Sequence, residues 1–477
     1  MNKLNTYLPY ILPLFFSLVV FYKGSKVLVN TDAQRYAILA NNLSQGKGYT
    51  LMGFPELVFP PGFSLLLTPF LAIGVNLSNS VSLLMALSYF FLGIFVYLIS
   101  RKYFNKTVSI ILTIVILVNG QIMYWTILGS AEIVMWTLIF GSYYFFNYKS
   151  KNRLLYSGVL AGFAYLVKPE ALGYIFFGSI VVFLINRKIT KDLLKVWIVL
   201  ILFVFSYSVF LYMNSGDIAL TGKSATLNWD SYIENPSNAR ESIVYQLNED
   251  GSVGQDLRYS NYSFANLKDR ILINLNSLKI SLFEILLPFK ITLIAFAGVI
   301  LLSKKARKIV LLACLLLAPE VSVLLFHIEH RYLLPLLLFV LANFVIGPSD
   351  WRKGQISKLA AALSLIALVL ITYYSYLPIR AEYGKLNEEK TKHSNFVEKA
   401  DLEGNIIARK PVYSFLAEKD YYPLPWVKGK EELNKYFEGK KNYTVIIDNW
   451  SKATLSTTHK LILENEVNNI NYIEYEE

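Results

Sequence analysis

The sequence predicts an α-helical, polytopic membrane protein with about eleven transmembrane helices, followed by a small C-terminal α/β domain outside the bilayer. Composition and charge placement carry this expectation. The chain is 54% hydrophobic and 17% charged, more apolar and less charged than a soluble protein of ordinary make-up. Its basic residues gather in short loops, and every second loop carries a group.

The apolar segments are residues 6–22, 79–99, 107–125, 131–148, 154–168, 170–186, 195–213, 284–303, 309–326, 332–347 and 358–377. Each reaches or approaches the roughly 20 residues that a helix needs to cross a hydrocarbon core. Residues 6–22 resemble a signal peptide in position, but no small-residue cleavage site follows, so they are expected to be the first crossing.

The basic groups are Arg101, Lys102 and Lys106; Lys149, Lys151 and Arg153; Arg187, Lys188, Lys191 and Lys195; Lys304, Lys305, Arg307 and Lys308; and Arg352, Lys353 and Lys358. By the positive-inside rule these loops are cytoplasmic, which puts the N-terminus inside and loops 23–78, 126–130, 214–283 and 327–331 outside. An odd number of crossings then puts the tail outside. The chain therefore reads as a multi-pass cell-membrane protein, with a transmembrane domain over 1–377 and an extracytoplasmic α/β domain over 378–477. Residues 59–76 are apolar but broken by Pro60, Pro61, Gly62 and Pro69. They are expected to form a juxtamembrane helix in the first outer loop rather than a crossing.

The tail combines a strand-like run, "YTVIID" from Tyr443 to Asp448, with the helix-like "EELNKYFEGK". A net charge of +12 does not point to nucleic acid, because the cations are spread as topology signals and form no basic face with interleaved aromatics. Cys314 is the only cysteine, so no internal disulfide can form.

On this map the outer membrane surface receives Asp32 and Glu56 from the first loop, Glu132 from the second, Lys168 and Glu170 from a tight turn, and "HIEHR", with His330 and Arg331, from a late one. Carboxylates beside cations at that depth suit transfer of a sugar from a lipid-linked phosphate. A base removes the acceptor proton, and positive charge stabilises the departing phosphate. Each residue also has a simpler reading: Asp32 as a helix cap, Glu56 as a solvated loop acid, Glu132 as a dipole partner, Lys168 as a snorkelling cation and Glu170 as its local partner. The two histidines lack a third ligand at zinc spacing. Glu320 lies inside a predicted crossing and is not counted among the catalytic candidates. A different functional class, a transporter or lipid- and glycan-moving protein of the envelope, would concentrate charge at the midplane and often carry repeat symmetry.

"TDAQRYAILANNLSQGKGY", then "FPPGFSLLL", "GSAEIVMWTLIFGSYYFF", "LVKPEALGYIF" and "HRYLLPLLLFVLANF" follow in order. Over about residues 1–347 the chain resembles type-C glycosyltransferases of the protein O-mannosyltransferase and aminoarabinose-transferase group. The tail, with "IIARKPVYSFLAEKDYYPLP", resembles the outer end domain of such proteins. The resemblance implies the type-C fold and inverting transfer of a hexosyl or pentosyl unit from a polyprenyl-phosphate donor to a protein, lipid or glycan acceptor. It implies Asp32 and Glu132 as catalytic, Lys168 and Arg331 as contacts of the donor phosphate, and Glu56, Glu170 and His330 as substrate-binding candidates. Where many relatives pair two acids, Asp32 is followed by Ala33. One carboxylate is a poor divalent-ion site, so no metal ligand is assigned.

Overall fold

A computed structural model of the chain describes residues 2–51, 54–186, 191–222, 246–247, 253–254, 271–272, 274–275, 331, 334, 337–338, 341, 355–400, 402, 404–424, 430–438, 442–448 and 470–475. In chain order the helices are α1 (Asn2–Gly24), α2 (Thr31–Ser44), α3 (Gly62–Ala72), α4 (Leu77–Tyr103), α5 (Lys106–Leu117), α6 (Gly120–Ile127), α7 (Ala131–Phe146), α8 (Arg153–Val167), α9 (Ala171–Asn186), α10 (Lys191–Ser215), α11 (Gln355–Lys399), α12 (Val412–Ala417) and α13 (Lys430–Phe437). The strands are β1 (Thr50–Leu51), β2 (Phe54–Pro55), β3 (Gln246–Leu247), β4 (Val253–Gly254), β5 (Asn405–Ala408), β6 (Tyr421–Pro423), β7 (Tyr443–Asp448) and β8 (Ile470–Tyr475). The chain divides into two compact units, one of residues 1–27, 82–205 and 267–386, the other of 28–81, 206–266 and 387–477.

The first unit is helical. Among the described residues, Tyr7–Gly24, Leu77–Tyr103 and Lys191–Ser215 are long and apolar enough to cross a membrane. The segment expected as one crossing over 107–125 is instead a bent pair, α5 and α6, turning by 53°. The break has a local cause. Asn119, fully buried, accepts from the backbone amide of Ile122 at 3.2 Å and so starts a new helix at Gly120. Helices α7, α8 and α9, at 16, 15 and 16 residues, are each about 23 Å long, shorter than the roughly 30 Å hydrocarbon core. The expected crossings 284–303 and 309–326 lie outside the described residues. Of 332–347, Leu334, Leu337, Leu338 and Leu341 are described, helical and buried at the spacing of one helix face.

Small residues allow close helix packing in this unit, as apolar surroundings require. Ser142 on α7 donates to the Ser157 carbonyl on α8 at 2.8 Å, and Thr137 donates to the Ser88 carbonyl on α4 at 3.0 Å. At Gly120 a Cβ would lie 2.7 Å from the Ser375 backbone on α11, whose hydroxyl accepts from the Gly120 amide at 2.9 Å. A Gly120→Val variant is therefore expected to lose about 1–3 kcal/mol from overpacking, read as a lower unfolding midpoint in detergent.

The second unit contains α2, α3, the antiparallel β1–β2 pair and a four-stranded sheet in the order β6-β5-β7-β8. All the pairings of that sheet are parallel. A parallel sheet is covered on both faces, so its strands read as nearly continuous apolar runs. Ile406, Ile407 and Ala408 in β5, and Val445, Ile446 and Ile447 in β7, are indeed fully buried. The strand expected at "YTVIID" is β7 itself, and α13 begins the helical stretch beside it. Helix α3 starts directly after Pro61 and is 11 residues long, about 16 Å, too short to cross.

Candidate active site

The second unit holds Asp32 and Glu56. Helix α2 is capped by Asn30, whose side chain accepts from the Ala33 amide at 2.8 Å. The cap function is thus filled two residues before Asp32, and Asp32 sits half-buried in the first turn, where the positive end of the helix favours a carboxylate. An Asn30→Ala variant should cost about 1 kcal/mol of stability, measured as a shift in the unfolding midpoint with faster amide exchange at the start of α2.

The rest of α2 is packed rather than exposed. Tyr36 meets Phe59 and Phe63 with ring centroids 5.3 and 5.0 Å apart, and Ser64 on α3 donates to the Tyr36 carbonyl at 2.9 Å. Arg35, three residues after Asp32, is buried with its guanidinium 5.4 Å from the Phe59 ring centre. The i, i+3 spacing of "DAQR" on a helix face is the sequence signal that would have drawn attention to Arg35.

Glu56 is not a solvated loop acid. It is fully buried, and one carboxylate oxygen accepts from the amides of Val58 and Phe59 at 2.8 and 3.1 Å. This shapes the turn leading into the double proline. The neighbouring Tyr49 phenol donates to the Phe59 carbonyl at 2.7 Å. Burial first, and the Glu56 charge second, push its pKa well above the usual phenol range, so it remains a donor.

The first unit brings together Glu132, Lys168 and Arg331, which are 3%, 4% and 6% exposed. Glu132 lies in the first turn of α7. One of its oxygens accepts from the Ser130 hydroxyl, and the other accepts from the Lys168 ammonium and lies 3.6 Å from Arg331 Nε. Ser130 was not a sequence candidate; the "SAE" spacing at a helix start is its only local mark. Lys168 ends α8 in extended backbone, its amide still bonded to the Ala164 carbonyl at 2.9 Å, and the chain leaves the helix there because Pro169 follows.

Lys168 therefore does not snorkel to a lipid surface. It pairs with an acid 36 residues away, while Glu170 next door is exposed. His330, like His327 and Glu320, lies outside the described residues. Among the described residues no group of three or more His, Cys, Asp and Glu side chains gathers as a metal site would require. Two buried cations meet one buried carboxylate here, and cations held in such surroundings suit an anionic group.

Residues 59–211 match the family model of dolichyl-phosphate-mannose-protein mannosyltransferases, a span that includes Glu132 and Lys168. The crystal structure of ArnT from Cupriavidus metallidurans bound to undecaprenyl phosphate superposes with a TM-score of 0.55 at 12% identity, covering 90% of this chain and 88% of that one. The chain thus shares its fold with ArnT. The apo oligosaccharyltransferase of Archaeoglobus fulgidus gives a TM-score of 0.49 at 12% identity, over 89% of this chain and 65% of that chain. No curated protein matches the chain in sequence. The three long apolar helices among the described residues fit the multi-pass membrane protein that the composition predicts.

Proposed function

We propose that the chain is an integral membrane glycosyltransferase that moves one hexosyl or pentosyl unit from a polyprenyl-phosphate donor to a hydroxyl of a protein, lipid or glycan, with inversion, on the extracytoplasmic face. The observation that carries this reading is the buried group of Glu132, Lys168 and Arg331, in which two cations meet one carboxylate. The undecaprenyl phosphate bound by ArnT, a protein of similar fold, is the kind of anionic lipid that buried cations suit.

In this mechanism Asp32 takes the proton from the acceptor hydroxyl as its oxygen bonds to the anomeric carbon. The bond from that carbon to the phosphate oxygen breaks, and polyprenyl phosphate leaves with the bonding electrons. Lys168 and Arg331 stabilise the charge that develops on the phosphate, Arg331 with a planar fork and Lys168 as a point charge. Glu132 holds both cations in place and keeps their combined charge from repelling them apart. Glu56, Glu170 and His330 remain proposed substrate contacts. About eleven crossings, a cytoplasmic N-terminus and an extracytoplasmic domain over 378–477 complete the reading.

The test is transfer by the purified protein in lipid nanodiscs, offered a panel of polyprenyl-phosphate sugars and hydroxyl acceptors. Product with inverted anomeric configuration and an equivalent of free polyprenyl phosphate is expected from at least one donor. Donor movement across the bilayer without cleavage would instead favour a lipid-moving protein and sink the proposal.

A further inference from the structure

The C-terminal residues and the first-loop residues belong to the same compact unit, and their contacts fall at chosen places. Leu28, two positions before the Asn30 cap of α2, packs against the core formed by Leu402, Ile406, Val412, Tyr413 and Ile446. Lys47, three positions after α2 ends, donates to both carboxylate oxygens of Asp420 at 2.9 and 2.8 Å. Glu418 accepts from the amide of Leu77, the first residue of α4, at 3.2 Å. Lys390 donates to Ser78 at 3.0 Å. Helix α12 itself packs on α2. The helix that carries Asp32 is thus held before its start and after its end by residues from beyond position 400, and the segment after α3 is tied at a third point.

Glu418 carries a second mark. Its φ is 53°, a left-handed conformation that a residue with a Cβ disfavours and that helix ends normally assign to glycine. A non-glycine residue is retained where its side chain reaches the exposed amide at the positive end of a 27-residue helix. The Lys47–Asp420 pair is exposed enough, at 45% and 29%, that it contributes little to global stability. Both features are weak as fold determinants and well placed as position determinants.

We propose that the C-terminal segment is a brace for α2, with Asp420 as the residue that holds its end through Lys47 and Glu418 as the tie that fixes α12, which packs on α2, to the start of α4. The consequence for catalysis rests on the reading of Asp32 as the base. A reacting group displaced by about 1 Å loses on the order of 10²-fold in rate, so a brace acts on kcat and leaves donor affinity alone.

The test uses the full chain in nanodiscs, with Glu418→Gly, Asp420→Lys and the charge-swapped pair Lys47→Asp with Asp420→Lys. Glycine suits the left-handed backbone at 418, so the first variant removes the side-chain contact without straining the fold. Amide exchange over residues 31–44 should quicken roughly tenfold in each single change, with donor KM unchanged and kcat lowered about tenfold. The swapped pair should recover both. Unchanged exchange in α2 in both single variants would overturn the brace, and so would faster exchange with kcat intact. If the wild-type chain transfers no sugar from any donor, the glycosyltransferase reading fails, and the exchange data alone decide whether the segment braces α2.

Discussion

Lys168→Met is expected to destabilise the protein by about 3–5 kcal/mol and to lower transfer by roughly 10²–10³-fold. The stability loss follows from what remains. Glu132, 3% exposed, would keep Ser130 and an Arg331 Nε at 3.6 Å, but lose the ammonium bonded to its oxygen. A buried carboxylate stripped of its nearest cation costs more than the intact pair ever contributed. The rate loss follows from the charge that no longer meets the leaving phosphate.

The two effects separate in the double variant Glu132→Gln with Lys168→Met. Removing both charges should recover part of the unfolding midpoint, because the buried carboxylate is gone although Arg331 loses it too, while transfer stays low. Thermal unfolding in nanodiscs and single-turnover transfer rates measure the two quantities. Recovery of activity along with stability would mean that Lys168 serves the fold and not the donor.

Asp32→Asn is expected to lower kcat by about 10²–10⁴-fold and to cost at most about 1 kcal/mol, the interaction of the charge with the helix end. The substitution keeps the side chain's shape, and the cap of α2 is supplied by Asn30 rather than by Asp32. What disappears is the ability to take a proton. Donor binding, measured with a nontransferable prenyl-phosphate analogue, should be unchanged. Transfer at the wild-type rate by the asparagine variant would remove Asp32 from the base role.

The sequence made local features legible and hid the long-range ones. Hydropathy located α1, α4 and α10, and a short β-branched apolar run located β7, because these signals lie within one element. The break at Asn119 was written in "VNGQ", but a mean over twenty apolar residues passes smoothly across one capping asparagine. Lys168 offered an obvious partner in Glu170, two residues away, but its bond to Glu132, 36 residues back, depends on the packing of α7 on α8 and could not be read from the sequence. Glu56 likewise reads as a surface acid until the turn it closes is known. The parallel order of the C-terminal sheet was not readable either, since β5 and β6 are four and three residues long and carry too little pattern to stand out.

Lys47 and Asp420 are 373 positions apart, and β8, which completes the sheet against β7, begins only at Ile470. During synthesis most of the helical membrane part is made before any of these late residues exist. Closing so long a loop waits for its second end, however favourable the contact. Leu28 therefore finds its apolar seat, and α2 its final setting, among the last events of maturation. A chain released before residue 402 would keep α2 in its sequence without the residues that seat Leu28.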